Sequence, residues 1–303
     1  MRIAVTGREG QVVRSLAERA ARFGHEIVPV GRPELDLAGD AEPILRALAA
    51  TSPEAIVSAA AYTAVDRAET DPDLALTINE RGARAVAEAA RHLNVPLVHV
   101  STDYVFAGTK GGPYNEVDPT APAGIYGASK LAGERAVTGA HGNSVILRTA
   151  WIYSPFRSNF AKTMLQLASN QDEIAVVADQ QGNPTSALDI ADGMLRVIEN
   201  LCTSDNPELR GTFHLAATGE ATWADFAEAI FSTSAAFGGP SARVRRIRTV
   251  DYQAVAKRPP NSRLDCSKLH RVHGVRLPAW RSSLPDVIRR LVPEFISVRT
   301  SDL

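Results

Sequence analysis

The chain has 303 residues, of which 45% are hydrophobic and 22% charged, and its formal net charge is −1. This length can bury a large core and form two lobes. The balanced charge gives no general attraction to nucleic acid or an anionic membrane, and no apolar run approaches the ~20 residues of a membrane span. Cys202 and Cys266 have neither metal-binding nor disulfide-framework spacing. With no signal-peptide pattern at the N-terminus, we expect a reduced, cytoplasmic protein.

The first predicted elements are a strand, a glycine turn and a helix. Strand 2–6 is followed by Gly7 and Gly10, and then by an amphipathic run over residues 16–23. In a Rossmann unit the first glycine permits a tight turn, and the second lets the backbone approach a pyrophosphate at the helix N-terminus. Val13 stands where a third glycine is usual, which predicts a slightly wider helix–strand contact. We therefore predict a dinucleotide-binding turn, and an ordinary βα turn is the alternative.

A second predicted strand, residues 26–30, ends at Gly31 and Arg32. In a Rossmann unit this strand end meets the adenosine ribose, where an acidic residue favours NAD and an arginine favours the 2′-phosphate of NADP. Arg32 therefore indicates NADPH. The alternative is a solvated surface arginine.

Strands and helices continue to alternate up to residue 150. The pattern predicts strands at 55–61, 96–101 and 144–149, and a helical stretch at 71–92 in which Asn79 caps or bridges. A glycine-rich loop, 108–124, precedes a further helix. Short apolar strands separated by helices predict an α/β fold with a Rossmann-type, doubly wound parallel sheet. Ligands bind such sheets at the carboxyl ends of the strands, so we expect one crevice to collect the ends at 59–61, 101–102 and 149–151 beside the glycine turn.

The alternation weakens after Trp151. We therefore predict a dinucleotide-binding domain at 1–150, to which later segments can return, and a smaller C-terminal lobe, mainly substrate-binding, at 151–303. Lys257, Arg258 and Arg263 in this lobe are candidates for contact with a substrate phosphate, because guanidinium groups match phosphate oxygens. A solvated basic loop is the alternative.

Tyr126 and Lys130 form a Tyr-x-x-x-Lys pair on the helix after the glycine-rich loop. Residues i and i+4 share a helix face, so the phenol and the ammonium are expected to point the same way. A nearby cation lowers the pKa of a phenol from its usual value near ~10, which allows tyrosine to exchange a proton with a carbonyl undergoing reduction. The alternative is a packed tyrosine ring and a solvated lysine.

The order of Gly7–Gly10, Thr102, Tyr126 and Lys130 resembles the extended short-chain dehydrogenase/reductases. Within that superfamily, longer stretches are similar to the dTDP-4-dehydrorhamnose reductases and occur in family order over nearly the whole chain. These stretches are residues 7–11, 34–37, 59–69, 101–106, 126–134, 148–151, 159–160, 179–182, 184–185, 258–259 and 261–264.

The resemblance implies that NAD(P)H delivers hydride to C4 of dTDP-4-dehydro-L-rhamnose and that the product is dTDP-L-rhamnose. Tyr126 would protonate the C4 oxygen, Lys130 would lower the pKa of Tyr126 and hold the nicotinamide ribose, and Thr102 would hydrogen-bond the substrate oxygen. The cofactor-binding residues implied are Gly7, Gly10, Gln11, Val12, Arg32, Asp36, Leu37, Ala60, Ala61, Tyr62, Thr63, Tyr126 and Lys130. The substrate-binding residues implied are Thr102, Asp103, Tyr126, Trp151, Asn159, Arg258, Asn261 and Arg263.

The sequence leaves open the cofactor, the assembly, the metal dependence and several related functions. NADPH is the expected cofactor, with NADH as a second option, and a homodimer is the assembly to test. Some family members carry an acidic residue proposed to bind magnesium where this chain has Arg14 and Ser15, so we carry over no metal ligand. The dehydratases follow the threonine with Asp-Glu, whereas Tyr104 follows Asp103 here. A 4-epimerase, a reductase of another nucleotide sugar and a non-catalytic dinucleotide-binding regulatory subunit are the remaining alternatives.

Overall fold

The computed structural model describes residues 1–296, and a six-stranded parallel sheet forms their centre. The sheet order is β2-β1-β3-β4-β5-β10, and three short two-stranded pairs, β11-β8, β12-β7 and β6-β9, lie outside it. The strands are β1 Arg2–Thr6, β2 Glu26–Val30, β3 Ala55–Ser58, β4 Leu97–Thr102, β5 Ser144–Thr149, β6 Ile152–Tyr153, β7 Glu173–Val177, β8 Gln181–Gly182, β9 Thr185–Ser186, β10 Gly211–His214, β11 Ala221–Thr222 and β12 Arg243–Ile247.

Helices connect these strands and cover the sheet. They are α1 Gln11–Arg19, α2 Ala41–Ala49, α3 Val65–Ala68, α4 Pro72–Leu76, α5 Ala83–His92, α6 Ile125–Ala140, α7 Phe160–Ala168, α8 Ala187–Thr203, α9 Trp223–Ala236, α10 Ser267–His273 and α11 Trp280–Ile296. Within residues 1–296, no helix combines the length and the apolar character needed to cross a bilayer.

The predicted elements are present, with small differences at their ends. Strands β1, β2 and β5 have the predicted bounds, and the helical stretch at 71–92 is α4 and α5 joined by one π-helical segment, Thr77–Gly82. Strand β3 ends at Ser58 rather than at residue 61, because the amides of Ala59 and Ala60 donate to the Thr6 hydroxyl instead of continuing the ladder. The side chain of Thr6 therefore sets where the crevice opens.

Two groups of buried apolar side chains show how the chain after residue 150 is distributed between the central sheet and a smaller lobe. One group packs on the sheet and includes residues of α8, β10 and α10, so these later segments pack against the first half of the chain. The other group joins α7, α9 and α11 and forms the smaller C-terminal lobe. The division at residue 150 stays a prediction, and residues 297–303 of the second predicted domain lie outside the described residues.

Helix α6 packs tightly because glycine stands where it meets its neighbours. A Cβ added at Gly133 would lie 2.1 Å from the backbone oxygen of Asn79, and one at Gly127 would lie 2.2 Å from the backbone oxygen of Tyr104. Backbone atoms cannot rotate away as a side chain can, so only glycine fits at these two positions. The close approach at Gly127 brings the start of α6 against the segment that follows β4.

We predict that Gly133→Ala lowers the free energy of unfolding by about 1–3 kcal/mol, because the added methyl forces α6 away from Asn79. Gly139→Ala on the same helix is the matched control, since a Cβ there meets nothing within 4 Å. That control should be neutral or slightly stabilising, because alanine favours the helix. Denaturant unfolding of both variants measures the difference, and equal stability of the two would contradict the packing argument.

Candidate active site

The glycine turn after β1 opens the crevice at the point where the sheet order reverses. Strands β2 and β3 lie on opposite sides of β1, which is where α/β sheets bind their ligands. Gly7 has φ +96°, a left-handed conformation that favours glycine, and its amide donates to the Val30 carbonyl at 2.7 Å. Gly10 is the N-cap of α1, and no side chain caps the N-terminal amides of this helix. This turn can therefore hold a phosphate close to the backbone.

Asn79 fixes the loop on the other side of the crevice. Its Oδ1 accepts from the Tyr62 amide at 2.8 Å, and its Nδ2 donates to the Tyr62 carbonyl at 3.1 Å and to the Ser129 hydroxyl at 2.9 Å. The side chain is buried at 1% exposure. Asn79 therefore bridges the loop after β3 to α6, which is one of the two roles that the sequence predicted for it.

Two adjoining cavities occupy the crevice. The smaller, of about 430 Å³, is lined by the predicted residues Gly7, Arg32, Asp36, Leu37, Ala60 and Ala61. The larger, of about 860 Å³, is lined by the predicted residues Gly10, Gln11, Val12, Ala61, Thr63, Thr102, Asp103, Tyr126, Lys130 and Trp151. Ala61 and Arg157 line both cavities. The two cavities thus form one continuous crevice that runs from Arg32 to Tyr126.

Four predicted substrate residues do not line either cavity. Asn159 is the N-cap of α7, and its amide nitrogen donates to the carbonyls of Ser154, Phe156 and Arg157. Arg258 pairs with Asp66 at 2.8 Å. Asn159 thus holds the loop before α7 in place, and Arg258 joins its own segment to α3.

The other two, Asn261 and Arg263, support the glycine-rich loop. Asn261 donates to the carbonyls of Lys110 and Gly112, and Arg263 donates to the carbonyl of Gly111 and pairs with Glu220 at 2.7 Å. Sequence alone could not separate these roles from substrate contact, because the acceptors are backbone oxygens of a distant segment.

Thr102, Tyr126 and Lys130 meet in the larger cavity. Thr102 is the last residue of β4, and Tyr126 and Lys130 lie one turn apart near the start of α6. Thr102 and Tyr126 both line this cavity. Lys130 is buried at 3% exposure, and its ammonium donates to the Val100 carbonyl at 2.7 Å.

Burial controls the protonation of Tyr126 and Lys130. It raises the pKa of Tyr126 to about 12, an effect that the Thr102 hydrogen bond opposes and the charge of Asp103 reinforces. We predicted that Lys130 would lower the pKa of Tyr126, but its ammonium is not among the groups that determine that pKa here. Burial lowers the pKa of Lys130 to about 8, partly offset by Glu134. At neutral pH the phenol therefore carries its proton and the lysine its charge.

Asp103 is a buried carboxyl group beside this set. Its Oδ1 accepts from the Thr102 hydroxyl at 3.0 Å, and its side chain is 3% exposed. Burial raises the pKa of Asp103 to about 7, which hydrogen bonds with Ser262 and Thr102 partly counteract. Asp103 therefore takes up a proton more readily than an exposed carboxyl group, and its protonated form can donate a hydrogen bond.

An aromatic wall closes the far side of the larger cavity. The rings of Trp151 and Trp223 stack with centroids 3.5 Å apart and planes at 4°, and Phe160 packs against Trp223. Trp151 has φ +44°, and a Cβ at Gly182 would lie 2.3 Å from its indole ring. The sequence predicted Trp151, but it missed Trp223, Phe160 and Arg157, because nothing in their local pattern distinguishes them from core or surface residues.

Comparisons with known proteins agree with this geometry. Residues 1–292 match the family model described as the RmlD substrate binding domain. The chain belongs to this family. It is 48% identical to the dTDP-4-dehydrorhamnose reductase of Sinorhizobium fredii NGR234 over 96% of this chain and 97% of that protein.

Two solved structures of dTDP-4-dehydrorhamnose reductases have the same fold as this RmlD-family chain. The one from Clostridium acetobutylicum has a TM-score of 0.88 and 34% identity, and covers 95% of this chain and 98% of its own. The one from Bacillus anthracis, a complex with NADP, has a TM-score of 0.87 and 36% identity, and covers 94% of this chain and 98% of its own. The predicted family and the predicted Rossmann-type fold are therefore confirmed. Among residues 1–296, no group of three or more His, Cys, Asp or Glu side chains has an arrangement that could hold a metal ion.

The smaller cavity generates a prediction about cofactor choice in this RmlD-family protein. Arg32 lines that cavity and has no carboxylate partner within ion-pair distance among residues 1–296, whereas Arg8, also on its wall, pairs with Glu34. Arg32→Ala should weaken NADPH binding by about 10-fold or more while leaving NADH binding nearly unchanged, because a charge-assisted hydrogen bond to the 2′-phosphate is worth about 1.5–3 kcal/mol. Fluorescence titration with each nucleotide measures the change.

The control is Arg46→Ala on α2, which removes an exposed arginine paired with Glu42 and outside both cavities. Both nucleotides should bind this variant as they bind the unaltered protein. Equal losses for NADPH and NADH in Arg32→Ala would contradict a 2′-phosphate contact and favour a solvated arginine.

Proposed function

We propose that this protein reduces the C4 keto group of dTDP-4-dehydro-L-rhamnose with NADPH and releases dTDP-L-rhamnose. The observation that carries the proposal is the meeting of Thr102, Tyr126 and Lys130 in a cavity that adjoins the Gly7–Gly10 turn. Family membership over residues 1–292 and relatives that are dTDP-4-dehydrorhamnose reductases support the choice of substrate. NADP in the Bacillus anthracis relative supports the choice of cofactor.

Different residues of the crevice would hold different parts of the cofactor. The backbone of Gly10, Gln11 and Val12 at the start of α1 would hold the pyrophosphate, and Arg32 would contact the 2′-phosphate. Arg157 lines both cavities and would lie near the junction of the two halves of the dinucleotide. When bound, the nicotinamide supplies the hydride.

Tyr126 would donate its proton to the C4 oxygen of the sugar as hydride arrives at C4. A phenol that stays protonated at neutral pH suits this direction of reaction, because the tyrosine must begin as the acid. Thr102 would hydrogen-bond the same substrate oxygen and orient it toward the phenol. Lys130 would stabilise the phenolate that forms and hold the nicotinamide ribose.

Trp151 and Asp103 are the proposed substrate contacts within the cavity. The flat Trp151–Trp223 stack offers an apolar surface to a sugar ring, and Asp103 offers a hydrogen-bonding group beside Thr102. For Asn159, Arg258, Asn261 and Arg263 we propose a supporting role, in which they hold the surrounding loops rather than touch the substrate. A homodimer and a cytoplasmic location stay predictions.

The decisive experiment adds dTDP-4-dehydro-L-rhamnose, prepared enzymatically, to the protein with NADPH and follows the loss of reduced nicotinamide absorbance. Substrate-dependent oxidation of NADPH, with dTDP-L-rhamnose as the product in NMR spectra, is the expected result. The same sugar on UDP is the control for nucleotide choice. NADPH binding without turnover on either sugar nucleotide would contradict the proposal and favour a regulatory dinucleotide-binding protein.

Tyr126→Phe should keep NADPH binding and lose about 10²–10⁴-fold in kcat, the usual contribution of a general acid. The ring remains, so its edge-to-face contact with Tyr104 is preserved and only the hydroxyl is removed. Tyr104→Phe is the control, because it removes the neighbouring hydroxyl instead. Turnover near the normal rate in Tyr126→Phe would remove Tyr126 from the mechanism.

The pH dependence of turnover should follow Lys130. Its pKa of about 8 means that the ammonium is present at neutral pH and is lost as the pH rises through that value. We therefore expect kcat to be level near neutrality and to fall on the alkaline side. Lys130→Arg, whose side chain stays charged, should lose this fall whatever its absolute rate. An alkaline fall that persists in Lys130→Arg would assign the titration to another group.

A further inference from the structure

His99 lies beneath the active site and is not one of the groups to which the proposed mechanism assigns a role. It is on β4, directly before Val100, and is 1% exposed. The parallel register of β3 and β4 places it opposite Ser58. A histidine inside an apolar strand is expected to use both ring nitrogens, because a buried polar atom without a partner is costly.

Both ring nitrogens of His99 have a partner. Nε2 lies 3.4 Å from the Lys130 Nζ, and Nδ1 lies 3.0 Å from the Ser58 hydroxyl. The same Lys130 Nζ donates to the Val100 carbonyl at 2.7 Å. Two consecutive residues of β4 therefore contact the lysine that the proposed mechanism requires.

The chemistry of these groups determines where the imidazole proton lies. An ammonium has three donors and no acceptor, so Nε2 can bond to Lys130 only if it carries no proton. Nδ1 then carries the proton and donates it to the Ser58 hydroxyl. Burial and the charge of Lys130 both lower the pKa of His99, which agrees with a neutral ring.

We infer that His99 is a positioning residue for Lys130: its Nε2 and the Val100 carbonyl each accept one ammonium N–H, and the third N–H is left for the cavity. The inference rests on the proposed function, because Lys130 acts there on the phenol and the cofactor ribose. With two donors fixed, the long side chain cannot swing its charge away from Tyr126. Ser58 acts at one remove, since it fixes the tautomer of His99.

Other charged and titratable groups face this set and stay unchanged in the experiments below. Glu134, on the same helix as Lys130, raises the pKa of that lysine and is itself paired with Arg148 of β5 at 2.7 Å. Tyr126 lies one turn before Lys130 on α6, and Asp103 follows β4. None of these groups supplies an uncharged acceptor to the ammonium, which is the part assigned to His99.

The first test replaces the acceptor and follows turnover against pH. His99→Leu should move the alkaline fall in kcat to lower pH by about one unit, because a hydrogen bond to a charged group is lost. His99→Gln, whose amide oxygen can accept from Lys130, should restore much of the shift. His141→Leu is the control: it removes another buried histidine, bonded to the Val95 carbonyl at the far end of α6, and should leave the profile unchanged.

The second test needs neither a variant nor activity. In the unaltered protein, labelled with ¹⁵N and assigned through the backbone, His99 should be neutral with its proton on Nδ1 throughout the neutral range. A proton on Nε2, or a His99 ring that becomes cationic near neutrality, would overturn the inference. So would a His99→Leu profile that superimposes on that of the unaltered protein.

The two tests separate the inference from the proposed function. If the unaltered protein reduces no sugar nucleotide but His99 has the predicted tautomer, the proposed function fails, and with it the role in turnover, while the hydrogen bond to Lys130 stands. If the protein is active and the tautomer is wrong, only the inference fails.

Discussion

The hydroxyl of Thr6 holds together the two strand ends on which the whole crevice depends. It accepts the amides of Ala59 and Ala60, both at 3.0 Å, and so ties the end of β1 to the loop that leaves β3. These two strands flank the point where the sheet order reverses. Because Thr6 stops the β3 ladder, the loop can turn away and open the cavity above the glycine turn. Thr6 is fully buried, so water does not compete for its hydrogen bonds.

A buried ion pair fixes the helix that carries the proposed chemistry. Arg148 on β5 contacts both carboxylate oxygens of Glu134 on α6, at 2.9 and 2.7 Å, and the Ser101 hydroxyl donates to the same carboxylate. Both charged side chains are 6% exposed. Removing one partner of such a pair leaves an uncompensated buried charge, which costs more than the pair contributes. Helix α6 thus has one preferred position over β4 and β5, and Tyr126 is held beside Thr102.

The sequence predicted most of the fold because its signals are local. Alternating apolar strands and helices, Gly7 and Gly10 in the turn, and a tyrosine one helical turn before a lysine each depend on a few neighbouring residues. These local features are sufficient to predict the sheet, the glycine turn and the proposed catalytic residues.

The parts that the sequence could not predict depend on distant partners. Trp223 reaches the cavity by stacking on Trp151, which lies far outside the window of about 11–18 residues over which sequence periodicity is informative. In the sequence His99 is a single polar residue within an apolar strand, and only the structure shows that Lys130 lies beside it. Asn261 was predicted to bind substrate, but it bonds to the carbonyls of Lys110 and Gly112. Burial reversed the expected direction of the Tyr126 pKa, an effect that no spacing rule contains.

The central claim is that Tyr126 and Thr102 act on the C4 oxygen of the sugar in the cavity beside the glycine turn. A crystal structure of the protein with NADP⁺ and dTDP-L-rhamnose tests it most directly. We expect the C4 hydroxyl to lie within hydrogen-bonding distance of both side chains. The nicotinamide ring should face C4 of the sugar, with no protein group between them. A C4 hydroxyl bound to different side chains, or a sugar seated outside this cavity, would contradict the account.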